Sequence, residues 1–216
     1  MINAVLFDLD GTLLDTAEDL GAALNYVLTE CELPTVAKEQ SRPIASDGAK
    51  GLLELGFGEA LPQYDYNKLR ESFLAYYEEN IANNTKLYSG VEPLLAILDK
   101  SNIPWGIVTN KPEALARKLI AFYPALNSSK VLLGGDSLPQ RKPDPAPIRV
   151  ACEKLSVAPE SALYVGDALR DIQASNAAQT TSIVANWGYI KSTDDVFQWK
   201  ADYILNDPAE ILQLIN

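Results

Sequence analysis

Four short apolar runs, each ending abruptly in polar residues, constrain this chain more than any other feature. Ala4–Phe7 leads into Asp8-Leu9-Asp10-Gly11-Thr12, and Trp105–Val108 into Thr109-Asn110-Lys111. Ala162–Val165 leads into Gly166-Asp167, and Thr181–Ala185 into Asn186-Trp187-Gly188. A weaker run, Val131–Leu133, passes through Gly134-Gly135-Asp136 toward Arg141-Lys142-Pro143. Runs of four or five apolar residues with no polar alternation suit strands buried on both faces. Between them lie segments with helical spacing of apolar positions: Val91–Lys100, Pro112–Phe122, Ala146–Leu155 and Arg170–Ala178. Strand alternating with helix predicts an α/β fold, a parallel sheet with helices on both faces. Ligands of such sheets bind beyond the carboxyl ends of the strands. The polar tips therefore converge on one crevice.

Residues 15–87 break the alternation. Leu20–Leu28, the stretch around Gly51–Leu55 and Leu69–Ile81 carry helical spacing with no clear strand between them. They read as an all-helical insertion after the first strand, placed over the crevice, with residues 1–14 and 88–216 forming the core.

Composition removes whole classes of chemistry. None of the 216 residues is histidine, which excludes Ser-His-Asp and Cys-His nucleophiles, histidine-ligated zinc and phosphohistidine. Acid–base work falls to carboxylates, Lys, Tyr or Cys. The 29 acidic against 18 basic residues give a net charge of −11, a field that repels nucleic acid and anionic membranes. Cys31 and Cys152 are too few and too far apart for a disulfide framework. Neither begins a C-x5-R nucleophile motif, since positions 37 and 158 are both Ala. The apolar run before Asp8 is too short for a signal-peptide core, and no stretch approaches a membrane span. A soluble, cytoplasmic protein is expected.

Asp8-Leu9-Asp10-Gly11-Thr12 by itself also reads as a strand ending in an Asp-Gly turn, with Thr12 capping a helix. Thr109, Lys142 in Arg-Lys-Pro-Asp-Pro, and Gly166-Asp167 followed by Asp171 each have an equally plain structural reading. Occurring in this order, each beyond a hydrophobic run, they resemble the haloacid dehalogenase superfamily, in particular its phosphatases with a helical cap inserted after the first motif. The resemblance covers nearly the whole chain and implies a Rossmann-like core, with residues 15–87 as the cap. Within the superfamily the chain is similar to phosphoglycolate phosphatases. The strings Trp105–Pro112, Trp187-Gly188-Tyr189-Ile190 and Trp199-Lys200-Ala201-Asp202 look most like the N-acetylmuramic acid 6-phosphate phosphatases close to that group.

The resemblance implies a role for each motif residue. Asp8 would be the nucleophile that forms an aspartyl-phosphate, and Asp10 the general acid and then the general base. Attack of a carboxylate on a phosphate monoester sets anion against anion, and Mg2+ is the implied remedy, held by Asp8, Asp167 and the backbone carbonyl of Asp10. Thr109 and Lys142 would hold the transferring phosphoryl group, with backbone N–H groups of Leu9 and Asn110 completing the cradle. Thr12 and Asp171 would stand behind these groups, Asp171 orienting metal waters or Lys142. Ala168 departs from the relatives, which often carry Asp or Ser after the motif Asp.

The implied partner is a small phosphorylated metabolite bearing a carboxylate, which Arg42 or Lys50 in the Gly-patterned segment 41–51 would bind. A helix-connecting turn with solvated basic residues fits that segment equally well. Trp187 and Tyr189 fit core packing better than the rim of the crevice. A sugar phosphomutase uses the same Asp pair and metal, and is told apart by isomerisation without net phosphate release. A haloacid dehalogenase would have no use for Asp10, and a phosphoacceptor signalling domain would have none for the helical insertion. Oligomeric state is not readable from the sequence.

Overall fold

The computed structural model describes residues 2–215. They divide into two compact units, Met1–Leu14 with Leu87–Asn216, and Asp15–Lys86.

The first unit is built on strands β1 (Ala4–Phe7), β4 (Trp105–Val108), β5 (Val131–Leu133), β6 (Ala162–Gly166), β7 (Thr181–Ala185) and β8 (Tyr203–Leu205). They form one sheet in the order β5-β4-β1-β6-β7-β8, and every pairing is parallel. Its helices are α5 (Val91–Lys100), α6 (Glu113–Ile120), α7 (Ala146–Lys154) and α8 (Leu169–Ala178). This is the expected α/β core. The chain steps from β1 to β4 and β5 on one side, then returns to β6, β7 and β8 on the other. Right-handed crossovers then set α5 and α6 on one face and α7 and α8 on the opposite one. Alternation along the strands serves both faces. Ala4, Leu6, Val108, Tyr164 and Ala162 cluster with Ile148, Ala151 and Cys152 of α7 and Ala174 and Ala178 of α8. Val5, Phe7, Trp105 and Ile107 are equally buried, and Phe7 meets Trp105 edge-on at 6.2 Å between ring centres.

Gly106 permits the close approach of β4 and β5. A Cβ there would lie 2.1 Å from Val131 Cγ1 and 3.0 Å from the Val131 carbonyl oxygen. The third residue of α5 is Pro93, within the first turn, where a missing N–H costs nothing. Strand β8 escapes the sequence reading because three half-exposed residues, Tyr203, Ile204 and Leu205, make too short and too polar-flanked a run to register.

The second unit contains α1 (Ala17–Glu30), α2 (Lys38–Ser41), α3 (Gly48–Phe57) and α4 (Tyr66–Glu79), with 3-10 turns at Arg42–Asp47 and Gly58–Gln63. Leu20, Ala23, Leu24, Val27 and Leu28 repeat at helical spacing and are buried, as are Leu52, Leu53, Phe57, Leu69, Phe73 and Tyr77. Gly56 lets α3 lie close against α1, since a Cβ there would reach within 2.7 Å of Leu24 Cδ1. Asp65 caps α4 by accepting from the backbone N–H groups of Asn67 and Lys68. The buried carboxylate of Asp19 accepts from Asn84 N, Asn84 Nδ2, Thr85 N and Thr85 Oγ1 at 2.7–3.1 Å. Short strands β2 (Leu14–Asp15) and β3 (Lys86–Leu87) pair where the chain passes between units.

Segment 41–51 takes the turn reading of its two alternatives: a 3-10 turn joins a helix at Gly48, at φ 62°, and Gly51 falls inside α3, in keeping with the helical spacing around Gly51–Leu55. Thr12 caps no helix: α1 starts five residues later, and the side chain of Thr12 is buried instead.

Candidate active site

Parallel packing brings the carboxyl ends of β1, β4 and β6 side by side, so the residues that follow them meet. Asp8 follows β1 and is 3% exposed. Its Oδ1 accepts from the Leu9 N–H at 2.8 Å and lies 3.0 Å from Lys142 Nζ. Asp167, two residues after Val165 of β6, and Asp171 in the first turn of α8 complete the group. One carboxylate oxygen from each of Asp8, Asp167 and Asp171 lies within 4.8 Å of the others.

Glycines make that convergence possible. A Cβ on Gly11 would fall 2.1 Å from Asp167 Oδ2, and one on Gly166 would fall 2.5 Å from the Asp171 side chain. Gly11 is also at φ +80°, a conformation that a side chain resists.

Lys142 supplies the positive charge. Its side chain is fully buried, and Nζ donates to Val108 O at 2.8 Å and Tyr164 Oη at 2.7 Å, and pairs with Asp171 Oδ1 at 2.7 Å. The peptide bond from Lys142 to Pro143 is cis. Tyr164 is a group that sequence reasoning passed over, because a Tyr in the middle of an apolar strand gives no sign that its hydroxyl faces a lysine. Burial, with Asp171 and Asp8 nearby, pushes the Tyr164 phenol well above its ordinary range and keeps it neutral. Burial likewise raises the Asp171 carboxyl, with Lys142 opposing the rise and Asp8 adding to it. Both Asp171 oxygens are engaged, Oδ1 with Lys142 and Oδ2 with the Ala168 N–H at 3.1 Å.

Thr109 and Asn110 follow β4. Thr109 is buried and its Oγ1 accepts from the Lys111 N–H at 3.2 Å, so the hydroxyl retains its own proton to donate. The Asn110 side chain donates to Lys142 O at 2.9 Å and ties the two loops together. Asp10 is paired with a residue to which the sequence reading gave no role: Lys111 Nζ lies 2.9 and 3.1 Å from its two oxygens, with both side chains largely buried. The signal was present in Thr109-Asn110-Lys111, at the tip of an apolar run. A lysine three residues past a strand nevertheless looks like any solvated lysine until the partner strand is placed.

Arg42 and Lys50 belong to the second unit. Arg42 Nη1 contacts both oxygens of Asp15 at 2.8 and 2.9 Å, and Lys50 lies 3.8 Å from Glu54 on an exposed helix face.

The donors around Asp8 suit a hard divalent cation. They are carboxylate oxygens within 4.8 Å of one another, backed by the Lys142 ammonium, with no thiol or imidazole among them. The buried Thr12 Oγ1 has no hydrogen-bond partner among the described residues, a further oxygen close in sequence to Asp8 and Asp10. Among the described residues no helix is long and apolar enough to cross a membrane.

Comparison with known proteins places the chain in a family. The family described as haloacid dehalogenase-like hydrolase matches residues 5–185. A phosphoglycolate phosphatase of Xanthomonas campestris is 41% identical over 208 residues, covering 96% of this chain and 94% of the relative. An N-acetylmuramic acid 6-phosphate phosphatase of Pseudomonas aeruginosa is 36% identical over 215 residues, covering 100% and 95%. The crystal structure of a predicted phosphoglycolate phosphatase from Haemophilus somnus 129PT superimposes with a TM-score of 0.90 at 30% identity, covering 100% of this chain and 98% of that one. With its motif residues gathered at the strand ends and a family match spanning most of its length, the chain belongs to the haloacid dehalogenase-like hydrolases and sides with their phosphatases.

Proposed function

We propose that this protein is a Mg2+-dependent phosphatase that hydrolyses a small, carboxylate-bearing phosphomonoester through an aspartyl-phosphate on Asp8. Its standing as a phosphoric monoester hydrolase rests on the family and on the phosphatases it resembles. The observation that carries the mechanism is the fully buried Lys142 ammonium set between Asp8 and Asp171 at 3.0 and 2.7 Å.

Asp8 Oδ1 is occupied by Leu9 N–H and Lys142, which leaves Oδ2 as the attacking atom. In the first displacement the Oδ2–P bond forms as the bond from phosphorus to the leaving oxygen breaks, and protonated Asp10 gives its proton to that oxygen. In the second, water attacks phosphorus, Asp10 takes its proton, and the Oδ2–P bond breaks to release phosphate and restore Asp8. The ion pair with Lys111 suits Asp10 in the second role, where the carboxylate must be the base. Thr109 donates its hydroxyl proton to an equatorial phosphoryl oxygen, and Lys142 neutralises charge that builds there. Asp8, Asp167 and the Asp10 carbonyl would hold Mg2+, with Asp171 fixing Lys142 behind them. The bound cation offsets the repulsion between the nucleophile and the phosphate dianion.

The second compact unit is read as the cap, with Arg42 and Lys50 the candidates for a substrate carboxylate. The two free thiols, Cys31 and Cys152, suit the reducing cytoplasm. Phosphate release from p-nitrophenyl phosphate should disappear with EDTA, return with Mg2+, and be abolished in Asp8→Asn. Activity that survives either treatment sinks the mechanism. Comparing kcat/KM for 2-phosphoglycolate, N-acetylmuramic acid 6-phosphate and hexose phosphates then decides the substrate. Preference for the hexose phosphates would refute the carboxylate requirement.

A further inference from the structure

We infer that the turn Trp187–Tyr189, which follows β7, is a positioning element for the Asp167 carboxylate, with Trp187 and Gly188 as its positioning residues. Three acidic side chains with oxygens inside 4.8 Å of one another repel, and each must be held in place by a donor. Asp8 is held by Leu9 N–H and Lys142, and Asp171 by Lys142 and Ala168 N–H. Asp167 takes a donor from another strand end: the Tyr189 backbone N–H reaches Oδ2 at 2.9 Å.

That donor is aimed by contacts on either side of it. Gly188 lies flat against the site, where a Cβ would stand 2.3 Å from Asp167 Cβ and 2.4 Å from the Gly11 carbonyl oxygen. Trp187 Nε1 donates to the Thr12 carbonyl at 3.0 Å, fastening the turn to the loop that carries Asp8 and Asp10. Gly11 closes the arrangement, since a Cβ there would meet Asp167 Oδ2 at 2.1 Å and Tyr189 Cδ2 at 2.9 Å. Tyr189 is 3% exposed, so its ring is packed inside the unit. Three backbone segments, residues 8–12, Asp167 and residues 187–189, are thereby interlocked through glycine contacts and the hydrogen bonds from Tyr189 N and Trp187 Nε1. A main-chain donor does not depend on the side chain at 189. What the turn requires is the bare Gly188 and the indole N–H of Trp187.

The inference rests on the proposed role of Asp167 as a metal ligand, and the test separates the two. Mn2+ binding to the metal-free full-length protein is measured by electron paramagnetic resonance for wild type, Trp187→Phe and Gly188→Ala. Trp187→Phe keeps an aromatic ring and removes one donor, and its Mn2+ dissociation constant should rise about tenfold. Gly188→Ala must push Asp167 aside and should raise it by on the order of a hundredfold. The Mg2+ concentration for half-maximal turnover should rise in parallel, with added Mg2+ restoring most of the rate in Trp187→Phe. A turn that merely supports the fold would lower the melting temperature in EDTA without moving the dissociation constant. If wild type binds Mn2+ and Trp187→Phe binds it equally well, the inference is overturned and the proposed function stands. If wild type binds no Mn2+, both fall. Should Gly188→Ala fail to fold, Trp187→Phe decides alone.

Discussion

Replacing Lys142 by Met tests the electrostatic core of the site, because Met matches the length of the lysine stem and leaves almost no cavity. The ammonium is fully buried and sits 3.0 Å from an Asp8 oxygen and 2.7 Å from one of Asp171. At an effective dielectric of about 20, each contact is worth about 6 kcal/mol of Coulomb attraction, offset by several kcal/mol for desolvating the ammonium. Removing the cation leaves two buried carboxylates facing each other beside Asp167, and breaking such a pair costs about 3–5 kcal/mol. The loss depends on pH, and its sign follows from Asp171. Burial already raises that carboxyl above its ordinary 3.8, and Lys142 opposes the rise. A carboxyl raised on folding adds stability in full below its unfolded value, and that contribution is lost as pH climbs through the folded value. Without Lys142 the folded value climbs further, so the deficit of the variant should be largest at pH 7.5 and smaller by about 1–2 kcal/mol at pH 5. Urea unfolding of both proteins in EDTA at the two pH values measures it. A deficit below about 1 kcal/mol at pH 7.5, or one that grows on acidification, would refute the reasoning.

Two further substitutions probe contacts that do not touch Lys142. Lys111→Met removes the ammonium from both oxygens of Asp10, and kcat on p-nitrophenyl phosphate should fall roughly 10- to 100-fold, the equivalent of one or two charged hydrogen bonds; an unchanged kcat would show that the pair is not used in turnover. Asp19→Ala strips Asn84 and Thr85 of their shared buried acceptor and should destabilise the helical unit by about 2–4 kcal/mol. Hydrogen exchange in α1 and α4 would report it, and protection equal to wild type would count against a clamping role.

What could be read without coordinates was whatever local pattern records. Runs such as Ala4–Phe7 and Trp105–Val108 are apolar at every position because both faces of a central parallel strand are covered, and the helices between them announce themselves by their period. The order of the motifs, each beyond an apolar run, put Asp8, Thr109 and Asp167 at strand ends and Lys142 in the loop that follows another strand, since a parallel sheet puts all carboxyl ends on one side. The edge strand Tyr203–Leu205 and the 3-10 form of residues 42–47 stayed hidden, one too short and the other without an apolar period to show it.

Pairings across the sheet lay beyond reach for a different reason. Lys111 finds Asp10 across 101 residues, Lys142 finds Tyr164 across 22, and Trp187 finds Thr12 across 175. Each depends on which strands are neighbours and in what register, and no local propensity encodes either. The absence of histidine had confined the chemistry to carboxylates and a cation from the outset. Only the tertiary structure decided which lysine faces which carboxylate, because a buried ammonium is positioned by all the strands around it and not by its own neighbours in sequence.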